Sequence, residues 1–389
     1  MPVEPRCLVL GATMCLSLLV ASCQDARTGN IRKPLAKNVI LFVADAGGVA
    51  TLNGASLLAY DGPQKLHIQR WPHLGLSDTS ATDEWVSDSA NGMSSIVTGV
   101  KTRNGVISQG PDALRGERDG TATKTILEYA EERGLLTGVI STQSIADATP
   151  AACYAHSNDR KKEGEIFTQA FSPRFGDGVD VLMGAGREHI GAQLQELGTS
   201  FEVLGRQRRR AIYATLEEVP AADRRPVVVA DDIDVHAATF KALDILDKSP
   251  KGYFLVVEWD AHVDDAREGL QNIVDFDRLI AEVEKRVDLD NTLLIFTADH
   301  SYGFMVDGGG PGQPLLEGYD AWAQALTEEN EDDPVRLKHA FINQTHTGEE
   351  VAALAIGAGA EHIGGYFPNT HLFHVMLEAW GWKQDAAGK

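Results

Sequence analysis

Residues Phe254-Leu255-Val256-Val257-Glu258-Trp259-Asp260-Ala261-His262-Val263-Asp264 decide the fold. A short apolar run of the kind a sheet buries on both faces breaks abruptly into acids and an imidazole. The pattern recurs where Leu293-Leu294-Ile295-Phe296 leads to Ala298-Asp299-His300, and where Val39-Ile40-Leu41-Phe42-Val43 leads to Asp45. α/β sheets place their chemistry at the carboxyl ends of parallel strands. Three strands thus bring carboxylates to one edge of one sheet. Unpaired, these groups would repel each other and be costly to desolvate. Divalent cations resolve the conflict.

Outward from these strands, Thr137–Ile140 and Val181–Met183 read as further strands. Thr125–Arg133, His236–Leu246 and Leu270–Val287 carry the 3.6-residue periodicity of helices. Strand–helix alternation predicts an α/β fold, a mostly parallel central sheet with helices on both faces. Residues 301–345 break the rhythm with Gly308-Gly309-Gly310-Pro311, a helical stretch near Ala321–Leu326 and an acidic run from Glu328 to Asp333. They read as a surface insertion over the site, because potential ligands stand at both ends. The sheet is expected to resume at Val351–Ala355.

The chain has 389 residues, 43% hydrophobic and 23% charged, which suits one large domain with a substantial core. A net charge of −21 disfavours nucleic acid, whose phosphates need basic patches. It does not disfavour small anionic substrates, since bound cations reverse the local field.

At the N-terminus, Arg6 precedes an apolar stretch from Cys7 to Val20, short for a membrane span and typical of a signal peptide. Val20-Ala21-Ser22-Cys23 resembles a bacterial lipobox. Residues 1–22 would then be removed, Cys23 would take lipid, and residues 23–37 would form a tether to the catalytic domain, residues 38–389. Gln24 after the cysteine resembles Gram-negative lipoproteins of the outer membrane, which implies an exported, membrane-anchored protein. Cys153 is left alone, so no internal disulfide is expected.

Ser89, in Val86-Ser87-Asp88-Ser89-Ala90-Asn91-Gly92, stands near the start of a helical stretch. Helix N-termini favour alkoxides and phosphates, although a serine there is more often simply an N-cap. Thr149 and Pro150 suit the cap and first position of another helix. Arg160 suits a bidentate grip on phosphate, or an ordinary surface position. His346 before a strand reads equally as a structural histidine.

Taken together and in order, Asp45, Asp88-Ser89-Ala90, Thr98-Gly99-Val100-Lys101-Thr102, Asp147-Ala148-Thr149-Pro150-Ala151-Ala152, Arg160, Asp180-Val181-Leu182-Met183-Gly184, Glu258, Thr297-Ala298-Asp299-His300 and His346-Thr347-Gly348-Glu349-Glu350 resemble the alkaline phosphatase family. The resemblance runs from about residue 38 to 380. It implies a phosphate monoester hydrolase working through phosphoserine at Ser89 and releasing inorganic phosphate, with two Zn²⁺ and one Mg²⁺. Asp45, Asp299 and His300 would hold the zinc at the serine. Asp45 would bridge to magnesium completed by Thr149 and Glu258, with Asp147 just behind it. His346 would serve the outer zinc, and Arg160 would clamp phosphoryl oxygens. Hard oxygen donors suit Mg²⁺, and mixed imidazole and carboxylate donors suit Zn²⁺.

The chain departs from the family where Glu-x4-Asp-x3-His is usual. Here Asp260 follows Glu258 after one residue, and Asp264 stands four residues beyond it. On a helix Asp260 and Asp264 share a face, and the favoured outer set is Asp260, Asp264 and His346. If the turn is not helical, Asp260 pairs with His262 instead. A carboxylate in place of imidazole would harden the outer site and admit another divalent cation. A phosphodiesterase of the same superfamily, or an inactive metal- or phosphate-binding lipoprotein, are the alternative readings. Such phosphatases are often homodimers, which the resemblance implies for this chain.

Overall fold

The computed structural model describes residues 36–327 and 333–385. The signal peptide, Cys23 and most of the tether expected from the sequence lie outside the described residues. The strands are β1 (Asn38–Asp45), β2 (His73–Asp78), β3 (Leu136–Ser144), β4 (Val181–Ala185), β5 (Ile212–Tyr213), β6 (Val227–Val229), β7 (Tyr253–Asp260), β8 (Thr292–Thr297), β9 (Ser301–Val306), β10 (Val335–Arg336), β11 (Ala340–Thr347), β12 (Val351–Gly357) and β13 (Gly365–Pro368).

Ten of them form one sheet in the order β13-β2-β12-β8-β1-β7-β3-β4-β6-β5. Every pairing in it is parallel except the two made by β12, which runs against β8 and β2. The expected α/β architecture is present, and the expected strand at Val351 is its antiparallel member.

The continuous apolar runs follow from this burial. Val39, Leu41 and Val43 of β1 pack into one core with Phe254 and Val256 of β7. Ile40 and Phe42 pack into the core on the other face with Leu255 and Val257. Each such side chain contributes roughly 1.5–3 kcal/mol on full burial. Helices Ser89–Thr98 and His371–Ala379 cover the first face, and Val235–Leu246 and Ala266–Arg286 cover the second.

One helix start agrees with the sequence reading and one differs. The cap before Ser89 is Asp88, whose carboxylate accepts from the Asn91 N–H at 3.0 Å, so Ser89 is the first helical residue. The next helix, Ala148–Tyr154, begins after Asp147, which places Thr149 and Pro150 inside its first turn rather than at the cap. The helix expected at Thr125 is present, with Thr125 and Glu128 forming a reciprocal capping box.

Residues 301–345 are less irregular than expected. They contribute β9, β10 and most of β11 to a second, antiparallel sheet of order β10-β11-β9, with helix Tyr319–Ala325 between. Tyr302 pairs with His346 and Ser301 with Thr347. Forty-odd residues of chain therefore begin and end side by side, and this pairing brings His346 back to His300.

Candidate active site

The carboxyl ends of β1, β7 and β8 and the first turn of helix Ser89–Thr98 meet at one point. Ser89 Oγ lies 3.1 Å from His300 Nε2 and 3.4 Å from Asp45 Oδ1. His300 Nε2 is 3.3 Å from Asp45 Oδ1 and 3.5 Å from Asp299 Oδ2. Backbone N–H groups of Ala46 and His300 donate to the other Asp299 oxygen at 3.1 and 2.9 Å, which fixes that carboxylate's orientation. All four side chains are buried, and only 3% of Ser89 is exposed. Glycine at position 92 permits the approach, since an added Cβ would overlap the Asp299 carbonyl oxygen.

A second group stands beside the first. His346 stacks on His300 with ring centroids 3.8 Å apart, and its Nε2 is 3.4 Å from His262 Nε2. The carbonyl of Ser87 accepts from His346 Nδ1 at 3.0 Å, leaving Nε2 to face the cluster. His262 Nδ1 is 2.7 Å from Asp260 Oδ1.

The favoured ligand set is corrected here. β7 ends at Asp260 and residues 261–263 are not helical, so the geometry that would align Asp260 with Asp264 never forms. Asp264 is exposed, and its backbone carbonyl accepts from the Gln344 side chain. His262 occupies the place expected of Asp264.

Behind these groups sit the remaining oxygens. Thr149 Oγ1 is 3.5 Å from Asp299 Oδ2. Glu258, 1% exposed, accepts a very short hydrogen bond from Ser141 Oγ. Arg160 spans two acids, donating to Asp88 at 3.3 Å and to Asp147 at 2.9 Å. The cap of the serine helix thus also holds the arginine. Sequence reading missed Ser141 and this second use of Asp88. Ser141 lies opposite Glu258 in the β3–β7 register, a relation that no local pattern reveals.

Burial opposes charge at this edge, yet the charges persist in a pattern. Burial would raise Asp45, but His262 and His300 hold it well below the usual carboxylate range. Burial and the Asp45 charge raise Asp299 to about 6 and push Glu258 well above the usual range. Burial would lower His262, but Asp45, Asp260 and Asp299 raise it to about 10. Burial and neighbouring His300 lower His346 to about 4. The field is anionic, and it attracts protons where cations would serve better.

The donor chemistry fits divalent metals. Ligand atoms of Asp45, Asp299 and His300 all lie within 4.8 Å of one another, as do those of His262, His300 and His346. Two adjoining cages of imidazole and carboxylate, sharing His300 and bordered by a helix-start serine and an arginine, describe a phosphoryl-transfer edge.

The sequence profile of the alkaline phosphatase family matches residues 36–210 and 232–339. This chain belongs to that family. It is 24% identical to the human tissue-nonspecific alkaline phosphatase over 440 residues, covering 89% of this chain and 84% of that one. It is 24% identical to alkaline phosphatase 4 of Bacillus subtilis over 418 residues, covering 88% of each. The solved alkaline phosphatase of the Antarctic bacterium TAB5 is 25% identical, with a TM-score of 0.72, 91% of this chain and all of that one covered. The fold of the Thermus thermophilus alkaline phosphatase matches at a TM-score of 0.71, with 20% identity, 93% of this chain and 96% of that one covered. The enzyme is a metal-binding phosphate hydrolase of the alkaline phosphatase type, built on that family's fold.

Proposed function

We propose that the enzyme hydrolyses phosphate monoesters through a phosphoserine at Ser89. The observation that carries this reading is Ser89 Oγ, buried at a helix start within 3.1–3.5 Å of His300 and Asp45. A hydroxyl so placed has no structural need for two ionisable partners.

Asp45, Asp299 and His300 would hold the metal at the serine, and Asp260, His262 and His346 the outer one. Glu258, Thr149 and Asp45 would hold a magnesium, with Asp147 behind them. A variant of the TAB5 enzyme has been solved with magnesium in its M3 site, which supports a hard-cation position of this kind. Bound there, divalent cations would lower the serine pKa and polarise the attacking and leaving oxygens. Two zinc ions and one magnesium fit the two kinds of donor.

The chain's own residues supply the rest. The first turn of the helix points its N–H dipoles at the incoming phosphate. Arg160, held flat by Asp88 and Asp147, presents its guanidinium to two phosphoryl oxygens. Ser89 Oγ gives up its proton and bonds to phosphorus as the bond to the leaving oxygen breaks in line, and that oxygen takes up a proton to depart as the alcohol. Water then displaces Ser89 from phosphorus, releasing inorganic phosphate and restoring the hydroxyl. The N-terminal lipobox supports anchoring through lipid at Cys23, with the enzyme working outside the cytoplasm.

Two measurements on zinc- and magnesium-loaded enzyme test the reading. Turnover of p-nitrophenyl phosphate should exceed that of bis-p-nitrophenyl phosphate, and acid quenching should trap phosphate on Ser89. Faster diester turnover, or a phosphoenzyme that survives Ser89→Ala, would overturn it.

A further inference from the structure

The opposite edge of the main sheet carries a cluster that the phosphatase chemistry does not use. Strands β5 and β6 begin just after Arg210 and Arg225. Because both run parallel to β1, these arginines stand at the amino-terminal edge, across the sheet from Ser89. A cavity of about 500 Å³ opens there, walled by Arg208, Arg209, Arg210 and Arg225, with Phe171 and Asp177 among its other lining residues.

The cavity's charge is unbalanced in an otherwise acidic chain of net charge −21. Arg225 pairs with Asp177 at 2.8 Å and with Asp180 at 3.2 Å, and Asp223 accepts from the Tyr213 hydroxyl and the Arg225 N–H. Among the described residues, Arg210 is tied to carbonyl oxygens, at 2.6 Å to Asp180 and 2.9 Å to Arg225, with no acid in direct contact. Its guanidinium lies over the Phe171 ring. Burial and the neighbouring Arg225 lower it to about 10, against the opposing charges of Asp180, Asp223 and Glu131. Arg208 and Arg209 end the helix Phe201–Arg208 exposed, and their side chains make no ion pair among the described residues. Fixed guanidiniums around a concave wall are the usual recognition for phosphoryl oxygens.

We propose that this cavity is a second, non-catalytic site for a phosphoryl anion. The ligand is either free phosphate or the phosphate of an anionic lipid head group. β1 begins at Asn38 on this same edge, five strand spacings from β5 in the sheet order. At about 4.8 Å per spacing the chain enters the domain roughly 24 Å from the cavity.

The test compares wild type with Arg208→Ala/Arg209→Gly, both metal-loaded and full-length and both carrying Cys23→Ser, so that no lipid anchor binds the vesicles. Glycine suits position 209, where φ is 54°. The variant should keep kcat and KM for p-nitrophenyl phosphate within about twofold and melt within a few degrees of wild type. Equilibrium dialysis with inorganic phosphate should show one bound equivalent fewer than wild type, which identifies free phosphate as the ligand. Alternatively, sedimentation with vesicles of phosphatidylcholine and phosphatidylglycerol should show at least a tenfold loss of binding, which identifies a lipid head group. Unchanged phosphate stoichiometry together with unchanged vesicle binding would overturn the proposal.

Discussion

His262 Nε2 and His346 Nε2 stand 3.4 Å apart, although 84 residues separate them in the chain. Without a cation, the proton that the neighbouring acids hold on His262 can be donated to His346 Nε2 across this distance; with both imidazoles neutral, their lone pairs converge on one point. They make sense as two arms of one cation site. His262→Ala should therefore remove about one equivalent of zinc, read by elemental analysis, and lower kcat/KM at least a hundredfold. Asp264→Ala should leave both within about twofold, because Asp264 is exposed. Equal losses from the two variants would show that the histidine pair is structural.

Arg160 is aimed by Asp88 and Asp147 rather than by packing. Arg160→Lys keeps charge but loses the planar fork, so it should recover little of the activity lost in Arg160→Ala. Both variants should lose roughly 10- to 1000-fold in kcat/KM, about 1.4–4 kcal/mol of transition-state binding. Full recovery with lysine would show that simple charge is enough.

Chelation should destabilise the fold as well as stop turnover. Asp45, Asp299 and Glu258 are all buried at one edge, and without cations they must share protons or repel. At a thousandfold excess over Kd, each metal adds about 4 kcal/mol of stability by mass action. Calorimetry with and without EDTA should show a melting temperature lower by several degrees in the chelated protein. A coincident transition would argue against native metal binding.

Gly92 lies in the helix of the nucleophile, against the backbone of Asp299. Gly92→Ala should push helix and ligand apart, costing about 1–3 kcal/mol of stability. Activity should fall further than stability alone explains, since Ser89 moves relative to His300. Normal kcat with reduced stability would show that the site tolerates the shift.

Glu131, hydrogen-bonded to Thr137 near the start of β3, gives a pH signature of its own. Burial raises it to about 7, with Asp180 and Asp177 adding to the effect, against a hydrogen bond from Thr137. The folded state thus holds a proton between the ordinary 4.5 and about 7 that the unfolded chain has released. Stability from this group is present below that window and lost as pH rises through it, by up to about 3 kcal/mol. Urea unfolding at pH 5 and pH 8 should show this fall in wild type and a flatter profile in Glu131→Gln.

The apolar runs ending in Asp45, Glu258 and Asp299 were legible as buried strands, because burial on both faces leaves a continuous local signature. The acids that follow marked the active edge for the same reason, since polar groups stop a buried strand where they stand. Helices read from Thr125, His236 and Leu270 were equally plain from periodicity, although the last begins four residues earlier, at Ala266. What spacing could not decide was which atoms meet across strands. The pairing of β9 with β11 brings His346 to His300, the register of β3 with β7 places Ser141 against Glu258, and the extended end of β7 selects His262 over Asp264. The arginine cavity likewise exists only because β5 and β6 lie side by side. Local sequence reports each residue's own burial and backbone, whereas contacts within 3–4 Å depend on the register of segments far apart in the chain, which tertiary packing alone sets.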